Sequence, residues 1–449
     1  MGFTSLAFLV FFPIVWVIYL VLPGRFRAAW LLAASYVFLG SFGLKYLAVL
    51  IGSTLVTWAA GLLLEKNGKR ATVIFTAVLV FHVAALCFFK YNRSNIALPI
   101  GISFYTFQAI GYLTDVYRGN VQAEQNLLNF ALFQAFFPKL VQGPIERSGN
   151  LLRQIQNIQA LPVRDAERIR ENGLLLLWGL CEKLLIADRI AIPVNAVYSQ
   201  FGAFGGVEIL LVTVLYAFQI YCDFAGYTDM ARGIAGMLGF DLLANFKRPY
   251  QADSVQDFWR RWHLSLSSFL RDYVYIPLGG SRKGRFRRAM NILITFGVSG
   301  IWHGTGFHFL LWGLLHGMGQ IFDIKNWKMP RAVKRILIFL FIDATWMVFR
   351  VNSLGDLKGM LLVILTNFRL QDFAVMQLGG FEWVLLSLGI LVVIMKDIWN
   401  EKGFGFRSWI LERNAVVRCL IYTALIGAVL VFGVYGAAYD TRGFLYTQF

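Results

Sequence analysis

The chain has 449 residues, of which 58% are hydrophobic and only 15% charged, against about 45–50% and 25% in soluble proteins; its mean hydropathy is +0.60. Lys+Arg 42 against Asp+Glu 25 leaves a net charge of +17. These figures exclude a soluble enzyme, a disordered chain and a disulfide scaffold, and they read the positive excess as basic loops facing the cytoplasm and anionic lipid rather than as a nucleic-acid surface.

The first apolar run, Phe3–Leu22, has no basic segment before it and no small-residue cleavage site after it, so it reads as a retained span and not a signal peptide. Further candidate spans follow at Ala28–Ser41, Tyr46–Leu64, Ala71–Phe89, Leu98–Leu113, Leu127–Val141, Gly173–Ile186, Val207–Cys222 and Phe224–Phe240. Beyond them lie Ala289–Trp302, Phe307–Phe322, Ile336–Phe349, Met360–Thr366, Phe381–Met395 and Val416–Tyr435. A crossing helix needs about 20 apolar residues, and several of these runs are shorter. The expected fold class is therefore an all-α integral membrane protein: an irregular multi-span bundle with short, broken and re-entrant helices sheltered by other protein. No internal repeat or linker justifies a domain cut, so residues 1–449 read as one domain, with N-terminal spans over 1–90, a polar core over about 98–322 and C-terminal spans over 336–449.

Basic residues set the topology. Arg25 and Arg27 lie in one loop, and Lys66, Lys69 and Arg70 in a second loop two spans later, which places both on the cytoplasmic face and the N-terminus outside. The stretch Glu146–Asn172 and the loop Ser281–Arg288, with five basic residues and no acid, belong on the same face. Such loops serve topology and lipid headgroups; docking of an acidic carrier or of the phosphates of a coenzyme A thioester is the second reading. The cysteines Cys87, Cys181, Cys222 and Cys419 sit in or beside apolar runs, form no C-x-x-C, and read as inert apolar residues.

Polar residues inside a membrane fold are costly and mark function by default. Phe136–Ile145 holds two prolines and a glycine within seven residues, including Gln142 and Pro144, and cannot continue a helix. Tyr221–Asp229 places Asp223 and Asp229 six residues apart in an apolar region. Asp257–Tyr273 carries Trp259, Arg260, Trp262, His263 and Arg271; read as one helix, Trp259, His263, Leu266 and Leu270 share a face. Four of the five histidines, His263, His303, His308 and His316, fall in one 54-residue window. His82 and His308 sit in no polar motif and read as hydrogen-bonded core residues. His303, in Gly300-Ile301-Trp302-His303-Gly304-Thr305-Gly306, is the strongest candidate for proton transfer from a hydroxyl. The spacings of 40 and 13 residues between His263, His303 and His316 match no compact metal motif, and no G-x-S-x-G elbow is present; no metal is expected. A transporter without covalent chemistry is the competing class, disfavoured by the lack of a two-fold repeat.

The ordered stretches Leu98–Tyr105, Asp115–Gly119, Phe136–Pro144, Asp223–Asp229, Phe258–Gly280 and Trp302–Gly317, with F-W-R-R-W-H-x-S-L-S and R-D-Y-x-Y-I-P-L-G-G among them, resemble the membrane-bound O-acyltransferase superfamily. The nearest branch is that of bacterial alginate O-acetyltransferase membrane subunits and their D-alanyl-transferring cousins. The resemblance implies helices around a central tunnel, His303 as the signature histidine and His263 at the second family position. It implies support from His316, Asp223, Asp229 and Asp257, and a tunnel lined by Gln142, Pro144, Trp259, Arg260, Trp262, Arg271 and Trp302. It further implies no bound cofactor; a cytoplasmic donor such as acetyl-CoA or an acyl carrier protein; a polysaccharide or cell-wall glycan acceptor; an extracytoplasmic acyltransferase partner; and a bacterial cell membrane location.

Overall fold

The computed structural model describes residues 1–66, 68–91, 98–370 and 376–435. Among them no strand occurs, and the molecule is all-α. Four helices are both long and apolar enough to cross a bilayer: Leu44–Lys66, Ala71–Tyr91, Gly206–Met237 and Ala415–Phe432. Leu6–Val21 is apolar but shorter. The apolar window of Gly206–Met237 is 78% buried, whereas those of Ala71–Tyr91 and Ala415–Phe432 are 11% and 6% buried. The first is therefore a core helix clad by protein, and the other two present their Leu, Val and Phe side chains to lipid, which carries no penalty there.

The chain divides into two compact units. The first comprises Met1–Leu177 with Tyr227–Ala244, and the second Trp178–Gly226 with Asn245–Phe449. In the first, Gln108 and Lys139 meet in the buried interior: the Lys139 ammonium donates to Gln108 Oε1 at 2.5 Å and to the Gln134 carbonyl at 2.7 Å. The expected break at Phe136–Ile145 is present. The helix Leu127–Ala135 stops at Phe136, a single turn Phe137–Leu140 follows with Pro138 in its opening positions, and irregular backbone continues from there.

Two sequence expectations are corrected. The spans placed at Val207–Cys222 and Phe224–Phe240 are one helix, Gly206–Met237. Asp223 does not interrupt it because its carboxylate is neutralised inside the second unit by Lys183, at 2.5 Å, and Lys183 also meets Asp188 at 2.7 Å. A buried charge is tolerated when paired in this way. Conversely, the single helix read within Asp257–Tyr273 is broken, Val255–Trp259 and Leu264–Leu270 being separate helices with a bend between them.

Candidate functional site

That bend begins the site. Val255–Trp259 is capped by the Ser254 hydroxyl, which accepts from Asp257 N at 3.0 Å, and by the Asp323 carboxylate, which accepts from the amides of Val255 (3.2 Å) and Gln256 (2.9 Å). The chain then turns through His263, whose φ of 44° lies in the left-handed region, a conformation that costs a non-glycine residue roughly 1 kcal/mol or more. Two contacts hold it there. Asn245 receives the Leu264 amide on its carbonyl (3.0 Å) and the Ser265 amide on Oδ1 (3.2 Å), and Trp262 is locked in an aromatic core, 5.0 Å from Trp346 and 5.5 Å from Phe258 between ring centroids. The turn swings the His263 ring onto the edge of Phe224, 4.6 Å away, in a buried position.

His303 is the last residue of the helix Gly284–His303, and His316 lies on the next, Phe307–Ile321. These helices cross with their backbones in contact. A Cβ on Gly300 would lie 2.4 Å from the Phe309 carbonyl oxygen, and one on Gly313 would lie 2.2 Å from that of Phe296. The crossing brings the His303 and His316 rings onto the same indole, each 4.9 Å from Trp312. Trp302, at 4.7 Å, and Phe349, at 5.2 Å, complete the aromatic wall around His303, and Trp302 reaches His263 at 6.4 Å. His263, His303 and His316 are thus linked through shared rings within one unit.

The hydrogen bonds of His316 fix its tautomer. Its Nδ1 accepts from Trp259 Nε1 at 3.2 Å. Its Nε2 lies 3.0 Å from Thr345 Oγ1, and that hydroxyl donates to the Ile342 carbonyl at 2.7 Å. With its one hydrogen used there, the hydroxyl can only accept, so His316 is neutral with the proton on Nε2. Neither nitrogen is spare. His82 is likewise tied to Thr57 Oγ1 at 2.9 Å.

Trp259 also walls a cavity of about 410 Å³ whose lining includes Arg260, Arg271, Arg288, Ser267, Ser268 and Tyr275, and no acid. Arg271 is paired with its neighbour Asp272 at 2.8 Å; Arg260 and Arg288 make no ion pair among the described residues. The volume is that of a small-ligand site, and the charge is suited to an anion.

The other expected residues divide. Asp257 forms an ion pair with Arg261 at 2.8 Å, Asp223 belongs to the Lys183 pair, and Trp262 is structural. Gln142, Pro144 and Asp229 lie in the first unit, where Gln142 is fully buried and Asp229 pairs with Arg232 at 3.3 Å. Sequence reasoning did not single out Asn245, Trp312, Thr345 or Phe349 as part of the site. Only Trp312, one helical turn before His316, left a signal in the spacing.

A family model described as the membrane-bound O-acyltransferase family matches residues 123–325. A probable alginate O-acetylase AlgI of Pseudomonas putida is 34% identical over the whole of both chains. The peptidoglycan O-acetyltransferase of Helicobacter pylori is 31% identical, with 80% of this chain and 79% of the relative covered. The teichoic acid D-alanyltransferase of Streptococcus thermophilus is 29% identical over 50% of this chain and 56% of its own.

Proposed function

Because the chain belongs to the membrane-bound O-acyltransferase family and is a multi-pass membrane O-acyltransferase, we propose that it moves an acetyl group from a cytoplasmic thioester towards hydroxyls of an exported polysaccharide or cell-wall glycan, directly or through an extracytoplasmic partner protein. Acetyl-CoA or an acetylated carrier protein supplies the acyl group as a substrate.

The observation that carries this reading is the division of labour among the histidines. His316 is committed through both nitrogens, and proton transfer is assigned to His303, which sits at the helix end beside the same indole, with His263 orienting. In this mechanism an imidazole nitrogen of His303 takes the acceptor hydroxyl's proton as the oxygen attacks the thioester carbonyl. The carbon–oxygen bond forms, the carbonyl becomes an oxyanion, and collapse expels the thiolate, which recovers the proton from His303. The carbonyl end of the Gly284–His303 helix lies at that ring, and helix C-termini favour a positive charge. Trp312 supports the oxyanion step: its Nε1–H is buried, has no acceptor among the described residues and belongs to the ring set perpendicular to His303 at 4.9 Å. The Arg260, Arg271 and Arg288 cavity receives the anionic donor.

The test is the ester-linked acetate of exported polymer in a strain carrying His303→Ala at normal protein level. Loss of acetate is expected; unchanged acetylation overturns the assignment. D-alanyl transfer from a carrier protein to teichoic acid is the second reading, supported by relatives of that name over about half of this chain. Base hydrolysis of the polymer, releasing acetate or D-alanine, separates the two.

A further inference from the structure

The first unit carries a site that acyl transfer does not use. Arg27 lies in the opening turn of the helix Gly24–Gly40 and is only 9% exposed. Its guanidinium packs over the Tyr19 ring at 5.3 Å. Its Nε is buried without a hydrogen-bond partner, and among the described residues it has no carboxylate. A cation in that position faces a desolvation penalty of several kcal/mol, and a cation–π contact returns only about 1–2 kcal/mol of it. The side chain is built for a counter-charge that the unit does not provide.

The surroundings say what that counter-charge is. Arg27 borders an open cavity of about 630 Å³, lined also by Leu22, Pro23, Gly24, Gln159 and Arg164. Arg164 donates to the Leu20 carbonyl at 2.9 Å, which fixes a second guanidinium on the same cavity. Gly24 opens its helix with no side-chain cap, since the preceding residue is Pro23. The approach there is tight: a Cβ would meet Gln159 Cγ at 3.1 Å. Asp165, the one acid in the lining, makes no ion pair with either arginine among the described residues; its Oδ1 accepts the amides of Glu167 (3.0 Å) and Arg168 (3.1 Å) at the start of its own helix. Two guanidinium groups and an uncapped helix N-terminus together select phosphate. The adjoining helix Leu6–Val21 exposes Leu9, Val10, Ile14, Val17 and Val21, an apolar surface for acyl chains. A free phosphate has no use for that surface.

We propose that the cavity between Arg27 and Arg164 binds the phosphate of an anionic lipid headgroup. The experiment is native mass spectrometry of the purified full chain exchanged against phosphatidylglycerol or phosphatidylcholine, with inorganic phosphate as a third arm. The wild type should retain phosphatidylglycerol in preference to phosphatidylcholine. Arg27→Gln with Arg164→Gln should weaken that retention about tenfold, the scale of one lost charge-assisted bond. The control Lys66→Gln with Arg70→Gln removes the same charge from the same unit outside the cavity and should change nothing. Equal retention in the site variant and the control overturns the proposal. Stabilisation of the wild type by millimolar inorganic phosphate equal to that by the lipid assigns the site to free phosphate and overturns the lipid reading. Should the double variant not purify, Arg164→Gln alone, at an exposed position, carries the test, with a loss of roughly threefold expected.

Discussion

His303 and His316 are of the same residue type and share an indole, and both nitrogens of His316 are held, by Trp259 and Thr345. Removing a general base lowers a rate by about 10²–10⁴, so His303→Ala should reduce polymer acetylation by that order, measured as acetate released per milligram of protein. Thr345→Val should act differently. It leaves the Nε2–H of His316 buried without an acceptor, which costs about 1–3 kcal/mol of stability. Thermal unfolding in detergent should fall, while the pH profile of the remaining activity keeps its shape. A changed profile would show that His316 exchanges protons during turnover. Trp312→Phe preserves the ring against both histidines and deletes only the N–H. A loss of about 10²–10³ in turnover with unchanged donor KM is expected if that N–H faces the oxyanion. None of this is legible from the histidines themselves. The partner of His316 is 29 residues away at Thr345, and a threonine inside an apolar run looks like filler.

Helices decide where these side chains stand. The segment Val255–His263 is held from outside by Glu401, at the end of the helix Gly380–Glu401. Its carboxylate receives Arg261 through both terminal nitrogens (2.9 and 3.2 Å) and faces Arg248 at 3.0 Å and Arg335 at 3.7 Å. Hydrogen bonds from Arg261, assisted by the charges of all three arginines, hold the Glu401 carboxyl below its ordinary value of 4.5. A depressed acid contributes stability above its unfolded value and loses it as pH falls through the folded one. The wild type should therefore melt progressively lower below about pH 4.5, and Glu401→Gln should start lower at neutral pH and lose this component of the acid slope. Gly313→Ala tests the helix crossing. Its Cβ would lie 2.2 Å from the Phe296 carbonyl oxygen, so the helices must separate, and loss of folded protein on size exclusion is expected. The short and broken helices of the polar core follow from local sequence, as the prolines around Gln142 show. The bend at His263 does not, because no glycine or proline marks it and Asn245, 20 residues before the Ser265 amide it accepts, imposes it.

At the scale of the whole molecule, the sparse charge separates into groups with different work. Arg260, Arg271 and Arg288 gather at one cavity. If they draw in an anionic donor, Arg288→Gln should raise donor KM severalfold with little change in kcat, and the wild-type KM should climb with salt as the attraction is screened. Composition alone determined the solvent of this protein: 58% hydrophobic residues and 15% charged cannot be hidden from water, so lipid must cover part of the chain. The ordered motifs determined the family, since each needs a fixed local pattern that survives as text. Tertiary structure alone decided that both nitrogens of His316 are held by Trp259 and Thr345, which carboxylates are spent on Lys183, Arg232 or Arg261, and where the chain bends. Those outcomes depend on partners brought together from distant parts of the sequence, and a side chain's chemistry is set by what lies within about 3 Å of it.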